Sequence, residues 1–190
     1  SYDMRNIIEV LDDLNNSATE NERAYPNVVP KLFKETDGLV SKKGKIFPLG
    51  GISNVTTVYC NENGYWSIIK ADEHGFHNIN GLYKKYFLDI VLTGDSFTQG
   101  ACVKPEENIA AVLRENGFKA LSIGVGGNGP LIELAAIKEY AEILKPKIVL
   151  WLYNDFHGRL ETEMNSSILR KYLYEDSFSQ NLINRQNEID

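Results

Sequence analysis

No run of apolar residues in this chain approaches the length a helix needs to cross a membrane, and its amino end carries no apolar core of the secretory-signal kind. A membrane span within these residues is excluded. The chain starts at Ser1 without an initiator methionine, so removal of an upstream segment is one reading, and cytoplasmic and extracytoplasmic bacterial locations both stay open. Grouped cations are also lacking: 20 lysines and arginines stand against 26 acidic residues, for a formal net charge of −6. Nucleic acid is therefore not an expected partner, since phosphate neutralisation needs clustered Lys and Arg. Cysteine is scarce. Cys60 and Cys102 lie 42 residues apart in unlike segments, which fits one disulfide but is read here as two buried free thiols. There is no internal repeat.

What is present is ordinary globular composition. With 190 residues and 43% hydrophobic content, the chain can bury one good core with a small appended unit. Two regions are expected, 1–85 and 86–190. In the first, Ile7, Ile8, Val10, Leu11 and Leu14 fall at helical spacing and predict an amphipathic helix over 4–15. Residues 16–29 read as loop, with Pro26 inside and Pro30 just beyond. Two β-rich runs over 56–69 flank Asn61, Glu62, Asn63 and Gly64, a hairpin pattern in which Asn-Gly supplies positive φ angles. The second region alternates: strands over 86–93, 120–124 and 148–153, helices over 106–115 and 131–144 behind Pro105 and Pro130, and a further helix over 163–174. That order calls for an α/β fold with a parallel sheet, right-handed crossovers and helices on both faces.

The chemistry concentrates where the first of these strands ends. An apolar run enters a turn of Gly94, Asp95 and Ser96, which sets a hydroxyl at the carboxyl edge of the sheet near helix amides. Taken alone, Asp95 and Ser96 fit a helix N-cap equally well. Two later segments follow in order: 119–129, a strand ending in Gly124, Gly126, Gly127 and Gly129, and 147–155, a buried strand ending in Asn154 and Asp155. Together the three segments resemble blocks I, II and III of the SGNH, or GDSL, family of serine hydrolases, over roughly the second half of the chain.

The resemblance implies a three-layer α/β/α sandwich of flavodoxin type with about five parallel strands. Three are visible, so the sheet reads as incomplete at its carboxy-terminal end. It implies that Ser96 Oγ attacks an ester carbonyl to give an acyl-serine intermediate. The oxyanion would be held by the Ser96 N–H, the Gly127 N–H and the Asn154 side-chain amide. Asp95 and Asp155 are structural in this reading, accepting backbone N–H groups that fix the turns. The substrate would be a small-molecule or carbohydrate ester carrying a small acyl group such as acetate, with no cofactor and no metal.

Two departures from the family pattern matter. Leu152 stands where the family has glycine two residues before the asparagine, and a shifted alignment would move the third donor to His157; Asn154 is preferred because an amide followed by aspartate matches in type. The family's base lies in a carboxy-terminal Asp-x-x-His motif, and none of His74, His77 or His157 has aspartate three residues before it. Serine without such a base is a feeble nucleophile at neutral pH. Three readings follow: a fragment lacking its last strands, which the unfinished sheet favours, a different base, or no catalysis.

Other readings stay beside this one. An O-acyltransferase would pass the acyl group from Ser96 to a glycan hydroxyl, and a non-catalytic glycan- or ligand-binding domain would keep the fold without the base. Gly124, Gly126, Gly127 and Gly129 also spell a dinucleotide fingerprint, disfavoured because that motif ordinarily sits on the first β-α-β unit. Asp72, His74 and His77 admit a metal-site reading, but local satisfaction at the surface is expected instead. The 72–78 segment is expected beside the mouth of the site. Tyr59, Tyr65, Trp66, Trp151 and Tyr153 read as core or cross-strand residues in preference to sugar platforms. Oligomeric state has no signal in the sequence.

Overall fold

Asn6 starts the first helix by a reciprocal cap: its side chain accepts from the Ile8 and Glu9 N–H groups, and Glu9 accepts in return from the Asn6 N–H. The computed structural model describes residues 2–19, 22–154 and 158–190. Helix α1 (Ile7–Asn16) packs Ile7, Val10, Leu11 and Leu14 against Ala24, Val58, Trp66 and Ile68. The amphipathic stripe thus docks on a small sheet.

That sheet contains a strand the composition concealed. β1 (Ala24–Pro26) lies within the stretch read as loop. After it come the short hairpin β2 (Leu39–Ser41) and β3 (Gly44–Ile46), then β4 (Thr56–Val58) and β5 (Ile68–Lys70). β4 and β5 pair antiparallel, with Thr56 opposite Lys70, as the hairpin pattern predicts. The connection is longer than a tight two-residue turn: ladder bonds continue from Tyr59 to Ser67 and from Ser67 to Cys60. β1 joins the outer side of β4 in parallel. Its entry is set by Asn15, whose side chain bonds both the N–H and the carbonyl of Ala24, a pairing that hydrophobic periodicity does not record.

The two cysteines form a disulfide, correcting the expectation of free thiols. Cys60 at the mouth of the hairpin is bonded to Cys102, with their Cα atoms 5.3 Å apart. Spacing along the chain gave no measure of this approach, because the contact is made by the fold.

The second region is α/β. Its elements are β6 (Ile90–Gly94), α2 (Ser96–Gln99), α3 (Ile109–Glu115), β7 (Ala120–Ser122), α4 (Pro130–Ala136), a π turn (Ile137–Ala141), α5 (Glu142–Leu144), β8 (Ile148–Leu152), α6 (Arg159–Glu163) and α7 (Ser167–Tyr174). The sheet is parallel, in the order β7-β6-β8. Alternate residues of β6 serve opposite faces. Ile90 and Leu92 pack with Ala110 of α3, whereas Val91 belongs to the cluster containing Leu131, Ile132 and Ala135 of α4. Ile46, Phe47, Leu49 and Phe76 share that second cluster, so the main core draws on both regions.

Two boundaries differ from expectation. The strand read from 86 begins at Ile90, because Tyr86 takes a left-handed conformation (φ 60°) and gives its N–H to the Leu144 carbonyl. The helix read over 163–174 is broken before α7, where Ser166 turns out of the helix and caps it through the Leu169 N–H. No helix among the described residues is long and apolar enough to cross a membrane.

Candidate functional site

Ser96 and Asn154 reach the same edge of the sheet because their strands run side by side. Gly94 pairs with Leu152, and each candidate stands two residues beyond that pair. The turn needs glycine at 94: a Cβ there would collide with the Thr98 hydroxyl and stand 2.8 Å from the Leu152 carbonyl oxygen. Asp95 is buried and accepts from the Phe97 N–H at 3.0 Å, opening α2 as its N-cap. Ser96 is half-buried, and Asn154 is exposed.

The loop after β7 closes on Ser96 from the other side. A Cβ placed on Gly126 would lie 3.6 Å from Ser96 Cβ. Gln99 of α2 fixes this approach, its side-chain oxygen accepting from the Gly126 N–H at 2.8 Å. The adjacent amides are also engaged: Asn128 N–H bonds the Val125 carbonyl, and Gly129 N–H bonds Glu163. Gly127, at φ +81°, is the exception. Among the described residues neither its N–H nor that of Ser96 has an acceptor, and Ser96 Oγ has no hydrogen-bond partner. Two backbone donors, those of Ser96 and of the residue after Gly126, thus have no acceptor, and the Ser96 hydroxyl is free. Donors of this kind each stabilise a developing oxyanion by roughly 3–4 kcal/mol in a dry site.

Ser96 lines a cleft of about 380 Å³, and neither Gly127 nor Asn154 belongs to its lining. Its apolar wall is Phe97, Ala101, Val103 and Ile109, and Glu62 and Glu107 stand at its rim. Glu62 comes from the hairpin, and Cys102 is itself in the wall, so the disulfide fixes one side of the cleft relative to α2.

Several positioning residues carried no sequence signal. Arg159 of α6 ties two turns together, donating to Asp95 at 3.3 Å and to the Asn128 carbonyl at 2.7 Å. Glu163, fully buried, accepts from the Gly129 and Leu131 N–H groups at 2.7 and 2.9 Å and so caps α4. Burial raises its pKa. This carboxylate occupies the amides that a dinucleotide pyrophosphate would need, which argues against the fingerprint reading of the glycines.

The 72–78 segment is buried, which corrects the surface placement expected for it. Asp72 accepts from the His74 and Phe76 N–H groups, the Asn78 amide and the Tyr83 hydroxyl. Burial pushes its carboxyl up to about 6 despite those bonds. His77 faces the Gln99 carbonyl through Nδ1 at 2.9 Å, which makes Nδ1 the protonated nitrogen, and Asn108 approaches Nε2 at 3.3 Å. Burial holds its pKa down to about 4, so the ring is neutral. His74 packs against Tyr83 and Tyr140. Neither histidine bonds Ser96. Asp155 and His157 lie outside the described residues. Of the aromatic candidates, Tyr59 is buried and Trp151, though exposed, stands opposite Thr93 in the sheet, whereas Tyr153 is exposed and lies beyond the end of β8, contrary to the core or cross-strand expectation. No family model, curated protein or solved structure matches the chain.

Proposed function

We propose that this chain is an SGNH-like serine hydrolase domain, of the family's α/β/α sandwich type, acting on an ester with a small acyl group. The supporting observation is a Ser96 with a free hydroxyl and an unspent N–H, lining a cleft and approached by Gly126, whose neighbour Gly127 also has an unspent N–H. In the proposed reaction Ser96 Oγ bonds to the acyl carbon and gives its proton to a base. The C–O bond to the alcohol breaks, and water then releases the acid from the acyl-serine. Asn154, exposed at the same sheet edge, is the third oxyanion donor in this reading. The disulfide favours an oxidising, extracytoplasmic setting.

A second reading is supported by the histidines. His74 and His77 are buried and turned to other partners, which suits a domain that binds an ester-bearing ligand without cleaving it. Reaction with a fluorophosphonate probe separates the two. Hydrolysis requires an adduct at Ser96 that is lost in Ser96→Ala and slowed at least roughly tenfold when a bulkier residue at Gly127 disturbs the loop. An unlabelled Ser96 in folded protein would leave binding as the function. Release of acyl groups to sugar hydroxyls faster than to water would mark a transferase.

A further inference from the structure

The Gly127 loop has a lid of positive charge that neither the motif nor the proposed chemistry uses. The side chain of Lys31, from the 3₁₀ turn Pro30–Phe33, lies across Gly127: a Cβ on that glycine would meet Lys31 Cδ at 2.6 Å, Cε at 3.1 Å and Nζ at 3.2 Å. The aliphatic stem therefore rests on the loop while the ammonium reaches its edge. Neighbouring cations are committed. Lys34 Nζ bonds Thr162 at 3.3 Å and faces Glu163 at 3.9 Å, and Arg159 is held by Asp95 and the Asn128 carbonyl. Among the described residues Lys31 has neither a counter-ion nor a hydrogen-bond acceptor for its ammonium.

Beyond it an open cleft of about 660 Å³ runs between Lys31, Lys34, Thr162 and Asn165. Glu35 and Asp37 line it too, and Asp37 already accepts from the Ser166 and Ser167 hydroxyls. In a chain with six excess negative charges, an unpaired ammonium one residue from Ser96's nearest glycine neighbour is a local reversal of sign. An anion on a ligand bound at this loop would find an ammonium that no carboxylate among the described residues already pairs.

We propose that Lys31 is a specificity-determining residue that engages an anionic oxygen group of the ligand, a carboxylate or sulfate near the ester, on the Gly127 side of Ser96. It rests on the reading of Ser96 as the ester-facing residue, but not on turnover.

The test is a calorimetric titration of the full chain carrying Ser96→Ala, so that esters are bound and not consumed. Three probes of equal length are used: an acetylated oligouronide, the same oligosaccharide with its carboxyls reduced to neutral alcohols, and a sulfated form of the neutral one. The expected result is about tenfold tighter binding of the uronide than of the neutral ligand at low salt, fading as salt is added. Lys31→Gln abolishes the preference, and Lys31→Arg retains most of it. Equal binding of the sulfated ligand assigns the effect to charge, and weaker binding assigns it to carboxylate shape; both support the inference. No preference in the Lys31 protein, or one that survives Lys31→Gln, overturns it. Fluorophosphonate labelling of Ser96 in Lys31→Gln reads the hydrolase proposal separately. Labelling without anion preference sinks only this inference, and preference without labelling sinks only hydrolysis.

Discussion

The tripeptide Ile-Val-Leu occurs twice in the parallel sheet, in register, and with opposite fates. Ile90, Val91 and Leu92 of β6 pair with Ile148, Val149 and Leu150 of β8. The first three are 6, 0 and 0% exposed, and the second three 50, 41 and 42%. Residue type and secondary structure are the same, so the difference lies in what surrounds them. β6 has a strand on each side and helices α3 and α4 over its faces, whereas the outer edge of β8 has no strand partner among the described residues. The opposite edge of the sheet is closed by a side chain, the Asn78 amide bonding both the N–H and the carbonyl of Ser122 in β7. A run that is apolar on both faces is the composition of an interior parallel strand. β8 therefore carries an interior strand's residues at an edge, the arrangement that invites further strand pairing.

The segment after β6 is tied down covalently, and removing that tie should have the largest effect. Cys60–Cys102 pins the segment after β6, closing a loop with a sequence separation of 42. Chain-entropy reasoning gives about 4 kcal/mol for a loop of that size. Cys60→Ala with Cys102→Ala should lower the urea midpoint by that loss divided by the m-value. A change under about 1 kcal/mol would show that the hairpin is held by its other contacts alone. Next in size is truncation within the matched tripeptides. Leu92→Ala should cost about 3 kcal/mol and Leu150→Ala about 1 kcal/mol or less, because the second leucine already leaves much of its surface in water. Equal losses from the two would mean that β8 is covered in solution.

How much of this was legible in the sequence depends on the range of the forces involved. β6, β8, α1 and the β4–β5 pairing follow from periodicity and turn residues, which are local. β1 was hidden because three residues containing Pro26 hold no period, and its pairing is organised by Asn15. The Cys60–Cys102 bond and the burial of Asp72 and His77 depend on contacts between distant segments. At the candidate site, Ser96 could be named from turn chemistry, and Gly127 and Asn154 only from the resemblance to the serine-hydrolase blocks. Gln99, Arg159, Glu163 and Lys31 could not: each acts on a loop far along the chain, and none belongs to a spacing motif.

A pH-dependent effect is expected at a point where β8 reaches inward. Trp151 Nε1 donates to Glu133 Oε2 of α4 at 2.5 Å. Burial, reinforced by the nearby charges of Asp95 and Glu163, pushes the Glu133 carboxyl up to about 7, while the indole bond and Arg159 act in the opposite direction. Its unfolded value is near 4.5. The folded state therefore holds a proton that the unfolded chain releases, and this group's contribution is complete below about pH 4.5 and lost as pH rises through 7. Asp72 tilts the curve the same way, so the measurement is a difference between proteins. Glu133→Gln should unfold at a higher temperature than the parent at pH 8 and at nearly the same temperature at pH 4.5. Trp151→Phe removes the donor that favours the charged form, so its deficit against the parent should grow between those pH values. Parallel melting curves for parent and Glu133→Gln across this range would mean that the carboxyl is hydrated, and that β8 is open to water at Trp151 as it is at Leu150.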